Sequence, residues 1–526
     1  MFKKIICFVL CLVMIFCLCS CGSDENKSSK NENNTQQAPG TKDISMLYCK
    51  ADSFNPYSAV SDINRNLCKL LYEPLFKTDN SYNVVYCLAE KVSYGDLSCT
   101  VQLKSSSFTD GSPVTAEDVV YSYNLAKSDG EFSAKLYRTT GISAVSQNTV
   151  TFNLTVNDPY ILNLLDFPIV KAGSDVITNS DGIVQPPIGC GRYILSADKS
   201  YLYLNEDYYG SKGAIKKIQL IDTPDKDAVS HYVEVGAVSF YYADLSDGHI
   251  VRMSGKKTDI NLNNLIYIGI NDSYGRLSEK NVRYAISSAL DRTDICSNAF
   301  HNNATPATGF FNPAFQETGA VQSLSDKSNL QITIENLNKI GYNSVDDEGY
   351  RINSRGKRLT FKLLVNSENL FRVSAAHTIA AQLKAAGIEI TVVEKPFDQY
   401  LQDLSSGNFQ LYLGEISILQ NMDLSPLVVK GGSAAFGVGL GEAVTTTPTD
   451  PNSPPATDPV AESLAAFYEG RIPISDVAGI LLTEMPQIPI CYRKSILFYS
   501  DSISGLKASE SDIYFNIESY SYNNHY

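Results

Sequence analysis

Residues Phe108 to Tyr123 read FTDGSPVTAEDVVYSY, and the chain is read outward from them. Asp110-Gly111 spells a tight turn, because glycine tolerates positive φ and aspartate bonds back to its own backbone. Pro113 stiffens the exit, and Thr115 with Asp118 three residues later outlines a capping box. Ala116, Val119, Val120 and Tyr123 recur at helical spacing, which predicts an amphipathic helix from Ala116. Before the turn, Cys99 to Leu103 alternates as a strand does. Strand, turn and capped helix follow one another closely.

As a pattern the stretch is more specific. TVQLKSSSFTDGSPVTAEDVVYS, residues 100–122, resembles the signature of the family 5 extracellular solute-binding proteins, the oligopeptide, dipeptide and nickel receptors of ABC importers. Four further runs resemble elements of that family and keep its order: Phe54-Asn-Pro-Tyr57, Leu71-Tyr-Glu-Pro-Leu-Phe76, Pro187-Ile-Gly-Cys-Gly-Arg-Tyr193, and Asn281-Val-Arg-Tyr-Ala-Ile286 through Leu290-Asp-Arg292. Cys190 and Arg192 depart from the pattern. The resemblance implies an α/β, two-lobed periplasmic-binding-protein-like fold with an extra subdomain in the N-terminal lobe and two crossover hinge strands. One lobe would take 41–75, 186–265 and 488–526, with 76–185 as its extra subdomain. The other would be 266–487, and the crossings would fall near Tyr267 and Pro486.

Composition is consistent with this. A chain of 526 residues is long enough for two or three domains. The net charge of −14 and pI near 4.9 argue against nucleic acid or anionic lipid as a partner. There are 32 Tyr and no Trp, and tyrosine binds ligands through an apolar face and a polar hydroxyl.

Lys3-Lys4 followed by the apolar run Ile5 to Leu18 reads as a signal peptide over 1–20, too short for a membrane span of roughly 20 residues. Leu18-Cys-Ser-Cys21 resembles a lipobox, so Cys21 is the expected lipidation site. Residues 21–40 are almost without apolar side chains and read as a disordered tether. The expected location is therefore the extracytoplasmic face of the cell membrane, with a lipid as the only membrane attachment. Ala443 to Pro459 (AVTTTPTDPNSPPATDP) is low in complexity and reads as an exposed loop inside the second lobe. Cys49, Cys68, Cys87, Cys99, Cys190, Cys296 and Cys491 show no CxxC spacing and read as small buried apolar residues, their pairing left open.

Local pattern predicts strands at Ile44–Cys49, Thr149–Val156, Leu265–Ile270, Phe409–Leu413 and Ser495–Tyr499, and helices at Asn64–Tyr72 and Asn281–Asp291. A βαβ unit is expected from Leu359–Val365, His377–Ala386 closed by Gly387, and Ile388–Val393.

The five histidines lie at 231, 249, 301, 377 and 525, without paired metal spacing. Ser196-Ala-Asp-Lys199 matches SxxK formally, but no SDN or KTG follows it. The sequence therefore predicts no enzyme, no cofactor and no metal site. For binding, the resemblance points to Phe54, Tyr137, Tyr241, Tyr242, Tyr267, Gly414 and Glu415. Glu415 stands where family members carry a tryptophan, and Ile418 where peptide receptors carry the aspartate that pairs with the ligand's amino group. As the only carboxylate of its strand, Glu415 is expected to attract a cationic group of the ligand. The reading is a monomeric, lipid-anchored extracellular solute receptor that delivers a ligand, most simply a peptide, to the permease of an ABC importer. A nickel chelate, an oligosaccharide, a signalling peptide, or a secreted lipoprotein enzyme stay open as alternatives.

Overall fold

The computed structural model describes residues 44–223, 229, 232, 237–249, 255–440 and 458–522. The signal peptide, Cys21, the tether and nearly all of the 443–459 segment lie outside them.

The chain begins with strand β1 (Ile44–Tyr48) and helix α1 (Asp62–Leu71), whose N-cap Ser61 accepts the Asn64 N–H. Strands β2 (Ala89–Gly95) and β3 (Ser98–Leu103) form a hairpin that leads into the signature stretch. Gly111 takes φ +83°, and the Asp110 carboxylate accepts both the N–H and the hydroxyl of Ser112. Helix α2 (Ala116–Ser128) starts on the expected capping box. Asp118 does more than cap: while Oδ2 accepts from the Thr115 N–H (2.9 Å) and hydroxyl (2.7 Å), Oδ1 accepts the Ala172 N–H at 2.9 Å. One carboxylate thus fixes the helix start and pins the chain returning at residue 172. A short helix α3 (Gly130–Lys135) and strands β4 (Thr139–Ser146) and β5 (Thr149–Leu154) complete a sheet of order β2-β3-β5-β4. Phe108, Val119, Tyr123, Phe152 and Phe167 fill its separate core.

Strands β6 (Tyr193–Leu195), β7 (Tyr201–Leu204) and β8 (Lys217–Asp222) return to the first sheet, of order β1-β8-β7-β6, with β1 and β8 parallel. Strand β9 (Phe240–Ala243) and the fifteen-residue β10 (Lys256–Ile270) then enter a second, seven-stranded sheet. Its other members are β11 (Ala304–Pro306), β12 (Thr360–Asn366), β13 (Glu389–Lys395), β14 (Leu411–Ser417) and β15 (Ile488–Tyr499). The order is β9-β15-β10-β14-β12-β13, with β11 paired to β15. Strands β12 and β13 are parallel across a helix, the expected βαβ unit. That helix begins at Leu370, seven residues before the periodic run, because Asn369 caps it by accepting the Arg372 N–H.

The two lobes meet on the antiparallel pair β10 and β15. Ile260, Leu262 and Leu497 belong to the core of the first lobe, and Ile266, Ile268, Ile488 and Ile490 to that of the second. Pairing is not continuous: Asn261 faces Lys494 but Leu265 faces Tyr492, so β10 carries two extra residues at the bulge. In the second lobe, Asp291 caps the helix Arg292–Asn298, and Arg292, 1 % exposed, donates to the carbonyls of Pro489, Ser287 and Ser325 and to the Ser287 hydroxyl. Burial lowers the Arg292 pKa to about 10. All seven described cysteines are free thiols and six are buried. Among the described residues no helix is long and apolar enough to cross a membrane.

Replacing Asp118 by alanine removes the capping-box carboxylate and the acceptor of the Ala172 N–H. The expected loss is about 1–2 kcal/mol of stability, read as a lower urea midpoint with an unchanged slope.

Candidate ligand cavity

A cavity of about 690 Å³ opens where α1, α3, the 163–168 segment, the end of β9, the 417–420 segment after β14 and the 510–513 segment converge. Its walls therefore come from the first lobe, the β2–β5 region and the second lobe. The cavity is polar, lined by eight carboxyl groups and four cationic side chains. Three of the cations have carboxylate partners: Lys77 with Asp512 (3.0 Å), Lys135 with Asp166 (2.7 Å) and Arg65 with Glu131 (3.5 Å). Lys69, in the last turn of α1, makes no ion pair among the described residues, and burial lowers its pKa. Burial raises the Glu73 carboxyl, which accepts the Tyr208 hydroxyl at 2.6 Å.

Of the seven residues expected from the sequence, Tyr242 lines this cavity. Phe54 is 1 % exposed and packs beside Tyr48 in the first-lobe core, ring centroids 6.0 Å apart. Tyr241 packs against Phe498. Tyr267 is 2 % exposed, its hydroxyl bonded to that of Tyr412 at 3.1 Å. Gly414 is where it is for closeness, since a Cβ there would come within 2.8 Å of both those rings. Tyr137 reaches across to the second lobe, where its hydroxyl donates to Asp423 Oδ2 at 2.5 Å. The same oxygen accepts from Arg138 at 2.8 Å, and the Arg138 guanidinium lies over the Tyr137 and Tyr468 rings. Nearby, Asn421 donates to Asp158 at 2.7 Å and Asn163 to the Gln420 carbonyl at 2.9 Å. The lobes are joined by polar side chains at this edge.

Glu415 departs from the sequence expectation. Its side chain is 9 % exposed and ion-paired with Arg372 and with Arg493, whose Nε lies 2.6 Å from Oε1; Asn264 also donates at 2.9 Å. Burial works to raise its pKa, but Arg372 and Arg493 outweigh it and hold the carboxyl below its ordinary 4.5. Two guanidinium groups already satisfy this charge, so a ligand's cation meets a neutralised site. Lys69, Glu73, Lys135, Asn163, Asp166 and Glu510, which do line the cavity, carried no signal of their own in the sequence; they come from segments far apart in the chain.

A two-lobed α/β protein with a polar cavity walled by both lobes has the architecture of a solute receptor. The model of the bacterial extracellular solute-binding proteins, family 5 Middle, matches residues 83–428, and the chain belongs to that family. It is 25% identical over 404 residues to the oligopeptide-binding protein AppA of Bacillus subtilis, covering 73% of this chain and 74% of that one. It is 22% identical over 347 residues to the nickel-binding periplasmic protein of Escherichia coli, covering 62% and 66%. In fold it is similar to a nickel ABC transporter structure from Bacillus halodurans, at a TM-score of 0.72 and 16% identity over 91% of this chain and all of that one.

Because Glu415 offsets the buried Arg493 and the half-buried Arg372 guanidinium groups, Glu415→Gln is expected to destabilise the protein by about 3 kcal/mol. A carboxyl with a depressed folded pKa contributes stability above its unfolded value and loses it as pH falls through the folded one. The gap between wild type and variant should therefore narrow below about pH 4.5, which thermal melts across that range would read.

Proposed function

We propose that the chain is a lipid-anchored receptor that binds a short peptide between its lobes and delivers it to the permease of an ABC importer. The cavity carries this reading: it is walled by both lobes, and its volume of about 690 Å³ lies in the range of enclosed ligand sites, about 300–1,000 Å³. Family membership supports a solute, and the likeness to an oligopeptide-binding protein supports a peptide. Closure of the lobes excludes water around the ligand and strengthens each polar contact inside. A nickel chelate is the second reading, supported by the likeness to a nickel-binding protein. The receptor acts as a monomer, held to the membrane through a lipid on Cys21.

Calorimetry with tri- to pentapeptides and with a nickel–histidine complex separates the two: heat from peptides alone is expected, and heat from the nickel complex alone would reverse the assignment. Arg138→Ala removes the interlobe pair with Asp423 and is expected to weaken peptide binding about tenfold, or about 1.4 kcal/mol. Unchanged affinity would show that this contact does not contribute to closure. Cys21→Ala is expected to release the protein from the membrane fraction, since each buried lipid CH₂ contributes about 0.8 kcal/mol; fractionation reads it directly.

A further inference from the structure

Three oxygens among the residues that line the cavity are buried and accept no hydrogen bond: Glu510 Oε2, Asn163 Oδ1 and Asp166 Oδ1. Asn163 is 3 % exposed and the Asp166 side chain 9 %. Buried polar atoms in folded proteins are nearly always paired, so three unserved acceptors on one cavity need a source of donors. They belong to one neighbourhood. Asn163 donates its amide to the Gln420 carbonyl, and the Gln420 side chain lies beside Glu510. The other Asp166 oxygen holds Lys135, which is in turn close enough to Glu510 to perturb it.

The missing partner should also be positive. Carboxyl groups outnumber cations in the cavity wall by eight to four, and Asp512, Asp166 and Glu131 already hold three of those cations. Among the described residues Glu510 makes no ion pair: Oε1 accepts the Asn263 N–H at 3.1 Å, and the Gln420 side chain is hydrogen-bonded to the carboxyl. Neutral acceptors alone would favour any N–H or O–H group, but an unpaired carboxylate in an enclosed site of net negative charge favours a cation.

We infer that this end of the cavity is a cation subsite, in which Glu510, with Asn163 and Asp166 beside it, receives an ammonium or guanidinium group of the ligand. The inference rests on the cavity being the ligand site, and it assigns the charge-pairing role to the 510–513 segment, away from Glu415. Burial raises the Glu510 carboxyl to about 7. The groups that face it are Lys69 on α1, Lys135 on α3, Tyr82, Tyr242 on β9, Asn263 on β10 and Gln420. A bound cation favours the ionised carboxylate, so ligand binding expels a proton from Glu510 at neutral pH. Affinity for a cationic ligand then falls as pH drops through 7.

Equilibrium dialysis with a mixed library of tri- to pentapeptides, offered unblocked or with every amine acetylated and lacking arginine, tests this. Wild type is expected to retain the unblocked form at least tenfold more strongly, with affinity rising between about pH 6 and about pH 8. Glu510→Gln should lose both the preference and the pH dependence while binding the acetylated form like wild type. Equal retention of both forms by wild type, or an unchanged preference in the variant, would overturn the subsite and leave the peptide reading standing. Should the variant not fold, the wild-type pH profile decides: a flat one overturns the subsite. If wild type retains neither form, the peptide reading falls. The molecules released from freshly purified protein then decide the subsite, an amine or guanidine group upholding it and any other content removing it.

Discussion

The architecture depends on one pair of antiparallel strands, β10 and β15, that runs through both lobes. Each strand contributes side chains to the two main cores, Ile260 and Leu497 to one, Ile268 and Ile490 to the other. Neither lobe can lose its hold on these strands without opening its own core, and apolar burial is what each lobe has most of to lose. The side chains around the pair reinforce it. Glu415 on β14 reaches Arg493 on β15 and Asn264 on β10, and Arg292 binds the Pro489 carbonyl at the start of β15. Charge here is used to fix strands, and its cost in desolvation is offset because Glu415, Arg493 and Arg292 each have several partners.

The cavity follows a different rule. Among the described residues its cations are paired except Lys69, whereas Glu510, Asn163 and Asp166 each keep an oxygen without a donor. A fully satisfied polar network rigidifies a core, and an incomplete one is expensive unless something arrives to complete it. An incomplete polar network therefore lies at the cavity, where a solute can supply the missing bonds, while the core of each lobe is apolar.

Much of this was legible in the sequence, for local reasons. The turn at Gly111, the capping box at Thr115 and Asp118, and the βαβ unit are set by residues within a few positions of one another. The second half of β10 was visible as an apolar run, but its first half, KKTDINLNN, holds only two large apolar residues, Ile260 and Leu262, among polar ones. Helix α3 has six residues and no buried face, so it offers no period to read. Glu415 shows the limit for sites. Its candidacy followed from the resemblance, but Arg372 and Arg493, 43 and 78 residues away, decide what its charge does. Glu510 is set by contacts with residues as distant as Asn263, 247 positions earlier, and no spacing rule connects them.

The bulge in β10 has a mechanical meaning. Two extra residues add roughly 7 Å of contour length to one rail of a two-rail track, so the track can bend there without stretching a ladder bond. The backbone groups that the ladder gives up are taken elsewhere: the Asn263 N–H by Glu510, the Asn263 carbonyl by the Ile418 N–H, and the Leu262 carbonyl by Asn312. Glu510, Ile418 and the bend thus share one residue as a common bearing. Asn263 ties the bulge to three residues of the cavity wall at once, Glu510, Ile418 and Leu419.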